Sequence, residues 1–410
     1  MAALLTLLPP QRIYVGSQGA QAFLRTMATA TYGVYAVRAA GLGPFELVLV
    51  GALLELSVVV AEVPTGIVAD LRGRRLSVLI GLAVIGCGFG VMGAAPTFGN
   101  LALGSILWAV GGTFISGAHQ AWLADEIGEA EAAPFFLRGT QARQIGSLLG
   151  IPIGVVLAAA SLQRPMLAGA LGYWALAVLL FFVMPERGYA PSSHMRGRPW
   201  HQMIATLRTG IATVRARPQL MSLLGVTFVV GMSGEAVGRL SPLHLLEGVG
   251  LPPAFAETTW FGIFQAGSFL GAAVITWLVD RSAALDDPRR IVRLLLVLTA
   301  AMSVATLTFA LASTFWTAVF AFWAARWVRI VVEPLILALI NRGVPPSVRA
   351  TVLSMEGQAE AFGEVCGGPA LGLLGTLRTV RTALVGAALI LLPAFPLYGR
   401  ALSAHREGRQ

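Results

Sequence analysis

Three glutamates stand one helical turn apart inside an apolar stretch of the chain. Glu356, Glu360 and Glu364 recur every four residues within 350–374, so a helix would place them on one face. Three like charges this close are costly to ionise together in a medium of low dielectric constant, so we expect at least one of them to bind a proton. Glu360 or Glu364 is the candidate proton carrier.

The preceding apolar stretch holds the opposite charges. Arg326 and Arg329 could pair with these glutamates, which is the alternative to a proton-binding role. Arg329 also has Glu333 four residues on, and Glu235 has Arg239, so each of these two pairs could instead be satisfied on its own helix.

A further cation lies near the start of the chain. Gln21 and Arg25 belong to a polar stripe at steps of three or four residues, typical of one helix face. Arg25 either pairs with Glu55 or faces a cavity, where it would bind an anionic group or a titrating carboxylate.

The elements that carry these charges are those of an integral membrane protein. The 410 residues are 56% hydrophobic and only 12% charged, and the mean hydropathy is +0.75, which excludes a water-soluble surface. A sequence pI near 10.6 would suggest nucleic acid in a soluble protein. Here the arginines form short clusters between apolar segments, so we predict a lipid bilayer and no nucleic acid as partner.

Twelve segments are long enough to span a bilayer, which takes about 20 apolar residues. They are predicted at 12–38, 46–69, 76–95, 101–124, 139–161, 166–184, 219–242, 259–279, 291–312, 315–341, 350–374 and 382–399. Arginines concentrate in the two terminal flanks and every second loop, whereas the other loops hold only Arg38, Arg164, Arg378 and Arg381. By the positive-inside rule, both termini are predicted to be cytoplasmic.

Because a charge at bilayer depth costs at least about 2.5 kcal/mol, the ionisable residues inside these segments are candidates for a functional site. The predicted substrate or proton cavity comprises Gln21, Arg25, Glu55, Glu62, Glu235, Arg239, Arg326, Arg329, Glu333, Glu356, Glu360 and Glu364.

The longest connection divides the chain into two halves. We predict an N-terminal six-helix bundle at 1–184, a cytoplasmic linker at 185–218 and a C-terminal six-helix bundle at 219–410. Within the linker, the apolar residues of 200–214 fall on one helical face, which indicates an amphipathic helix on the membrane surface. Segments 5 and 11 match at an offset of 217 residues, aligning Gln141 with Gln358, Ala142 with Ala359, Gly146 with Gly363, Gly150 with Gly367 and Pro152 with Pro369.

The loop between segments 2 and 3 reads GIVADLRGRRLSVL. Asp70 and Arg74, with Asp125 at the end of segment 4, can form a charge network at the cytoplasmic mouth, and Gly66 would allow another helix to approach closely. A plain positive-inside loop would explain the arginines but not Asp70 at its spacing from Gly66.

This loop resembles the signature loop of the major facilitator superfamily. The residues that match are Gly66, Asp70, Arg72, Gly73, Arg74 and Arg75. The resemblance implies an all-α membrane protein of twelve transmembrane helices in two pseudo-symmetric six-helix halves. It also implies that Asp70, Arg74 and Asp125 latch a conformational gate, whereas Glu62 could belong to the latch or to the cavity.

Two further stretches resemble actinobacterial drug:proton antiporters of the macrolide and tetracycline efflux type. They are GSLLGIPIG in segment 5, where Ile151 separates a glycine and a proline that are adjacent in those antiporters, and SGEAVGRLSPLHLLEGVGLP in segment 7. The resemblance implies alternating access and proton-coupled efflux of amphipathic drugs, hence antiport and antibiotic resistance. A proton symporter or facilitator that takes up a small metabolite is the alternative.

The remaining expectations concern partners and location. We expect a small-molecule substrate, a proton as coupling ion, a monomer, and a multi-pass location in the inner (plasma) membrane. No P-loop, HExxH or GxSxG motif and no paired histidines at metal spacing occur, so we expect no cofactor, no metal and no enzyme. An intramembrane enzyme or sensor is the distant alternative.

Overall fold

The chain folds into long helices at each predicted segment. A computed structural model describes residues 8–189, 208–209, 211–281, 287–344 and 346–407, and these contain helices and turns but no strand. The principal helices are α1 Pro10–Thr29, α2 Pro44–Arg72, α3 Arg74–Ala94, α4 Phe98–Ile127, α5 Glu129–Ala160, α6 Arg164–Val183, α7 Pro218–Leu243, α8 Glu257–Asp280, α9 Pro288–Leu311, α10 Phe315–Gly343, α11 Pro346–Leu377, α12 Val380–Leu389 and α13 Ala394–Glu407.

Nine stretches of helix in the described residues are long and apolar enough to cross a membrane. They include all of α2 to α6, and α12 joins with the start of α13 to form the last of them. Of the remaining long helices, α1 carries Arg25, while α10 and α11 carry Arg326, Arg329, Glu333, Glu356, Glu360 and Glu364. The polar helices are therefore the ones expected to line a site rather than to face lipid.

Two predicted segments are broken in the structure. The first ends as regular α-helix at Thr29 and continues through Tyr32–Val34 into a π-helical turn at Tyr35–Ala39. The last stops at Leu389 and resumes at Ala394. Helix α5 begins earlier than predicted, at Glu129, because Gly128 at φ +91° ends α4 and turns the chain directly into α5.

The described helices group into two compact units. Unit 1 comprises residues 1–42, 53–194 and 255–266, and unit 2 comprises 43–52, 195–254 and 267–410. The first residues of α2 thus belong to unit 2, and the first residues of α8 belong to unit 1. The sequence-based division at 184 and 219 stays a prediction.

Each unit repeats the same helix pairing. In unit 1, α1 packs on α5, and α3 packs on α4 and α6. In unit 2, α7 packs on α11, and α9 packs on α10 and α12. The partners in unit 2 are those of unit 1 moved six helices along the chain, as the internal repeat predicts.

Glycines explain why these pairings are close. A Cβ at Gly146 of α5 would overlap the Gly19 carbonyl oxygen and approach Phe23 N on α1. A Cβ at its repeat partner Gly363 of α11 would overlap the Phe228 carbonyl oxygen and approach Met232 N on α7. Only a residue without a side chain permits backbones this near, as small residues do in membrane helix pairs.

The predicted amphipathic helix of the linker is only partly within the described residues. Trp200, Met203, Ile204 and Leu207 lie outside them. Residues 211–215 are helical, and Val214 is buried in the hydrophobic core of unit 2 beside residues of α7, α9 and α10. At Val214 the apolar face therefore packs on protein.

Candidate functional site

The glutamates of α11 converge on one arginine of α10. Arg329 Nη2 lies 2.9 Å from Glu360 Oε1 and 3.0 Å from Glu364 Oε1. These are the distances of charge-assisted hydrogen bonds. The pairing hypothesis is therefore realised at Arg329, and one guanidinium is shared by two carboxylates.

Helix α7 holds the third side of this cluster. Arg329 Nη1 donates to the Val230 carbonyl oxygen at 3.3 Å. A Cβ at Gly234, one turn further along α7, would overlap Arg329 Nη1. The absence of a side chain at Gly234 therefore leaves the space that the guanidinium fills.

Glu333 does not pair with Arg329, contrary to one of the two alternatives for this residue. Glu333 is exposed and lines a small cavity of about 10 Å³ together with Thr227, Glu356 and Glu360. That volume is at the lower limit for one water molecule. The self-pairing expected along α10 is thus replaced by pairing between α10 and α11.

Glu356 is the most buried of the three glutamates, with 5% of its surface exposed. Its Oε1 lies 3.3 Å from Thr227 Oγ1, which also lies 3.2 Å from the Leu223 carbonyl oxygen. A hydroxyl carries one proton. Thr227 can therefore donate to Leu223 and accept from Glu356 only when Glu356 is itself protonated.

A larger cavity of about 370 Å³ opens within unit 2 between α7, α9, α10 and α11. Arg239 Nε donates to Glu235 Oε1 at 2.8 Å, so the expected pair on α7 is present. Arg326, Arg329 and Glu364 line the same cavity. Nε of Arg326 is buried and has no hydrogen-bond partner among the described residues.

The N-terminal cavity candidates are spread along α1 and α2. Arg25 is exposed and forms no ion pair with Glu55 in the part of unit 1 that the structure describes. Gln21 Nε2 is buried without a hydrogen-bond partner there. Glu55 is partly buried and Glu62 is exposed. The roles of these four residues stay predictions.

The predicted cytoplasmic network is assembled in unit 1. Arg74 Nη1 donates to Asp70 Oδ1 across the turn between α2 and α3. Arg74 Nε lies 3.6 Å from Asp125 Oδ2 at the end of α4. This second distance is that of an ion pair rather than a hydrogen bond. Arg74 therefore joins the ends of α2 and α4.

The other residues of the motif have different surroundings. Gly73 adopts φ +112°, a backbone conformation that favours glycine, and makes the sharp turn possible. Arg75 donates to the Phe181 carbonyl oxygen and lies over the Phe181 ring. Arg72 is exposed. The close helix approach predicted at Gly66 is absent from the described residues, because a Cβ there would meet no atom within 4 Å.

The chain after α6 closes over this network, which the sequence did not indicate. A Glu186 carboxylate oxygen accepts from Arg75 N at 2.9 Å, and Tyr189 Oη donates to the Asp70 carbonyl oxygen at 2.7 Å. Partial burial raises the pKa of Tyr189, as do the nearby acidic side chains, so its hydroxyl stays protonated near neutral pH. The start of the linker is thereby fixed to the Asp70 turn.

A second pair that sequence reasoning missed joins distant parts of the chain. Arg38 Nε and Nη2 both donate to Glu257 at the start of α8, with distances from 2.8 to 3.2 Å. In the sequence, Arg38 is noted only as one of the four arginines in the arginine-poor loops, and Glu257 lies just before the segment predicted at 259–279. Nothing local to either position predicts a partner 219 residues away.

No group of three or more His, Cys, Asp or Glu side chains that could hold a metal ion occurs in the described ranges. The ionisable side chains are arranged as ion pairs and carboxylate clusters. Such an arrangement can bind charged groups and exchange protons.

The sequence profile of the Major Facilitator Superfamily matches residues 15–359, which is most of the chain. The chain belongs to this superfamily. Members of the superfamily are membrane transporters, and the helices of the two units, which repeat the same pairings, have the fold of that superfamily.

Individual members of the superfamily are distant in sequence. The chain is 21% identical over 357 residues to the uncharacterized MFS-type transporter YxaM of Bacillus subtilis (strain 168), and the match covers 86% of each chain.

Solved structures of the superfamily share the fold. The nucleoside transporter NupG matches with a TM-score of 0.73 at 14% identity, covering 96% of this chain and 99% of NupG. A bacterial homologue of the human lysosomal transporter Spinster matches with a TM-score of 0.74 at 14% identity, covering 97% of each chain. A POT family transporter solved with a thioalcohol-conjugated peptide matches at 0.73 and 13% identity, covering 96% of each.

Proposed function

We propose that this transporter is proton-coupled, works by alternating access, and exports amphipathic drugs or other small organic molecules in exchange for protons. The observation that carries the proposal is the sharing of Arg329 by Glu360 and Glu364 at the cavity of unit 2. When one carboxylate binds a proton, the other still pairs with the guanidinium. The cluster can therefore change its charge by one without leaving a buried cation unpaired.

Glu356 and Glu333 supply a route for that proton. Glu333 is exposed, Glu356 is buried, and both face the small cavity that also touches Glu360. One water in this space would connect the three carboxylates by hydrogen bonds. Proton transfer from Glu333 towards Glu360 then requires only movements of a few ångströms.

The size of the larger cavity supports a small organic substrate. Its volume of about 370 Å³ lies in the usual range for sites that enclose such molecules. Two structural neighbours, a nucleoside transporter and a POT family transporter solved with a conjugated peptide, have small organic ligands, which supports a cargo of this kind. The segment 5 and segment 7 resemblances support export, and drug resistance would be its consequence for the cell.

Uptake by proton symport is the second candidate. It is favoured by Arg326, a cation on the cavity wall that has no ion pair in the described chain. An anionic metabolite and a proton would bind such a wall together, because each lowers the electrostatic cost of the other.

Several further properties belong to this proposal. The arginine distribution supports a plasma-membrane protein with both termini in the cytoplasm. One chain contains the whole proton cluster, which supports a functional monomer. The contacts of Asp70, Arg74 and Asp125 support a gate at the cytoplasmic ends of their helices, where opening would break partly exposed ion pairs.

Everted membrane vesicles test the proposal. Acidifying the lumen should drive accumulation of a fluorescent amphipathic probe such as norfloxacin, and the Glu360→Gln, Glu364→Gln double variant should lose this accumulation. Vesicles with Arg378→Ala, an exposed arginine, serve as the matched control. Accumulation that ignores the pH gradient, or that persists in the double variant, contradicts proton coupling at this site.

A further inference from the structure

The larger cavity of unit 2 contains one arginine that has no ion-pair partner among the described residues. Arg239 pairs with Glu235, and Arg329 pairs with Glu360 and Glu364. Arg326 lines the same cavity and forms no ion pair with any residue that the structure describes.

Arg326 is also poorly supplied with hydrogen-bond acceptors. Its Nε is buried without a partner in the described ranges, and its guanidinium carbon lies 5.8 Å from the centroid of the Phe322 ring. That distance is near the outer limit of a cation–π contact. An unpaired cation and an unsatisfied N–H at membrane depth are both costly.

We infer that the substrate carries an acidic group, such as a carboxylate or a phosphate, and that Arg326 binds this group. The inference rests on the proposed function, because it names the class of molecule that the same cavity takes. A guanidinium presents several N–H donors in one plane, which suits a carboxylate or phosphate better than a neutral carbonyl.

The charges of the wall show how such a group would couple to protons. The three arginines and the glutamates paired with two of them balance while Glu360 and Glu364 are both ionised. One bound proton leaves an excess positive charge, and Arg326 is the cation without a partner. A plain organic anion would therefore bind with the proton, as in symport.

A zwitterion would behave differently at the same wall. Its acidic group would lie at Arg326, and its ammonium group would compete with the proton for Glu364, which lines the cavity beside Arg329. Competition between substrate and proton is what antiport requires. Arg326 would therefore bind the acidic group of the substrate both in symport of an anion and in antiport of a zwitterion.

Ligand-induced thermal stabilisation of the purified full-length protein tests this inference. The probes are ring-matched naphthyl compounds in four charge classes: naphthoate, its neutral methyl ester, the zwitterion naphthylalanine, and the cationic methyl ester of naphthylalanine. At least one of the two acidic probes, naphthoate or naphthylalanine, should stabilise the wild type. An acidic probe that does so should bind at least about tenfold more tightly than its own methyl ester.

Variants at one position then assign the effect to Arg326. Arg326→Gln should lower the affinity for the acidic probe by about tenfold or more, whereas Arg326→Lys, which keeps the charge but loses the planar set of donors, should lower it by less than Arg326→Gln does. Arg378→Gln, a change at an exposed arginine, should leave the affinity unchanged. The lysine variant shows whether a loss in Arg326→Gln reflects charge or misfolding.

Three results would overturn the inference: equal stabilisation by acids and esters, no stabilisation by either acidic probe, or full affinity in Arg326→Gln. The proposed function fails separately, in the vesicle assay. Gradient-driven accumulation restricted to esters would keep proton coupling and reject the acid site. If acids bind in a way that depends on Arg326 but transport does not depend on the pH gradient, the acid site is kept and proton coupling is rejected.

Discussion

The helix pairs α1–α5 and α7–α11 share one packing but differ in chemistry. In both pairs, glycines of the second helix lie against the backbone of the first. Phe23 of α1 and Met232 of α7 occupy equivalent places in these contacts. The residues two positions after them are Arg25 in unit 1 and Gly234 in unit 2, so these two positions correspond. Where α1 has the charged side chain of Arg25, α7 has a glycine and therefore no side chain.

A side chain from a third helix occupies the space beside Gly234. Arg329 of α10 puts its guanidinium where a side chain at Gly234 would be, and there it meets the carboxylates of α11. In unit 1, Arg74 instead forms ion pairs at the turn between α2 and α3. A duplicated scaffold can therefore hold a cluster at membrane depth in one copy and an end-of-helix network in the other.

The turn between α8 and α9 in unit 2 has contacts different from those around Arg74 in unit 1. In unit 2, Arg281 lies over the Trp277 ring at 4.0 Å, and Asp287 accepts from the Arg289 backbone N–H at the start of α9. The side chain of Asp280 lies outside the described residues. This turn of unit 2 thus caps a helix with Asp287 and stacks Arg281 on a ring.

Removing the cation from each copy should give the largest contrast. Arg329→Ala leaves Glu360 and Glu364 without their cation, so we expect the free energy of unfolding to fall by about 3 kcal/mol. Arg25→Ala removes an exposed side chain that has no ion pair in the described chain, and we expect a change within about 0.5 kcal/mol. Chemical denaturation in detergent measures both. Equal losses would contradict the contrast.

The shared glycine packing should respond equally in the two copies. Gly146→Ala and Gly363→Ala each force a methyl group against a backbone carbonyl, so both should destabilise by about 1–3 kcal/mol. Gly357→Ala, where a Cβ would meet nothing within 4 Å, is the matched control on α11. It should be neutral or slightly stabilising, because alanine favours a helix. An effect confined to one half would break the proposed equivalence.

The space at Gly234 can be tested without removing a charge. Gly234→Ala should displace the Arg329 guanidinium from its carboxylates and reduce gradient-driven transport by about tenfold. Gly357→Ala on α11, where a Cβ meets nothing within 4 Å, is the control and should retain transport. Initial rates in vesicles compare the two. Similar rates would show that Gly234 does not set the position of Arg329.

The cytoplasmic network should give the smallest change in stability. Its side chains are partly exposed, so Asp70→Asn should cost only about 0.5 kcal/mol. Transport should slow several-fold at unchanged probe affinity, because the gate equilibrium shifts while the cavity is intact. Arg281→Gln, at the corresponding turn of unit 2, should change neither quantity. Loss of probe affinity in Asp70→Asn would argue against a gate role.

The sequence predicted the segments, the repeat and the contact between Asp70 and Arg74, because each depends on local spacing or on composition. It left the partner of Arg329 open, since choosing between Glu333 and α11 requires the distance between two helices. Gly66 was misread, because nothing in a motif says whether a second helix is near. The pair of Arg38 with Glu257 could not be predicted, since a contact between distant loops has no local signature.

Reconstituted protein in liposomes tests the central claim most directly. A pH gradient should drive concentrative transport of norfloxacin in the wild type. The Glu360→Gln, Glu364→Gln double variant should keep norfloxacin exchange down its own gradient but lose concentrative transport. Concentrative transport that survives in the double variant, or wild-type transport that is the same with and without the pH gradient, would contradict proton coupling at the Arg329 cluster.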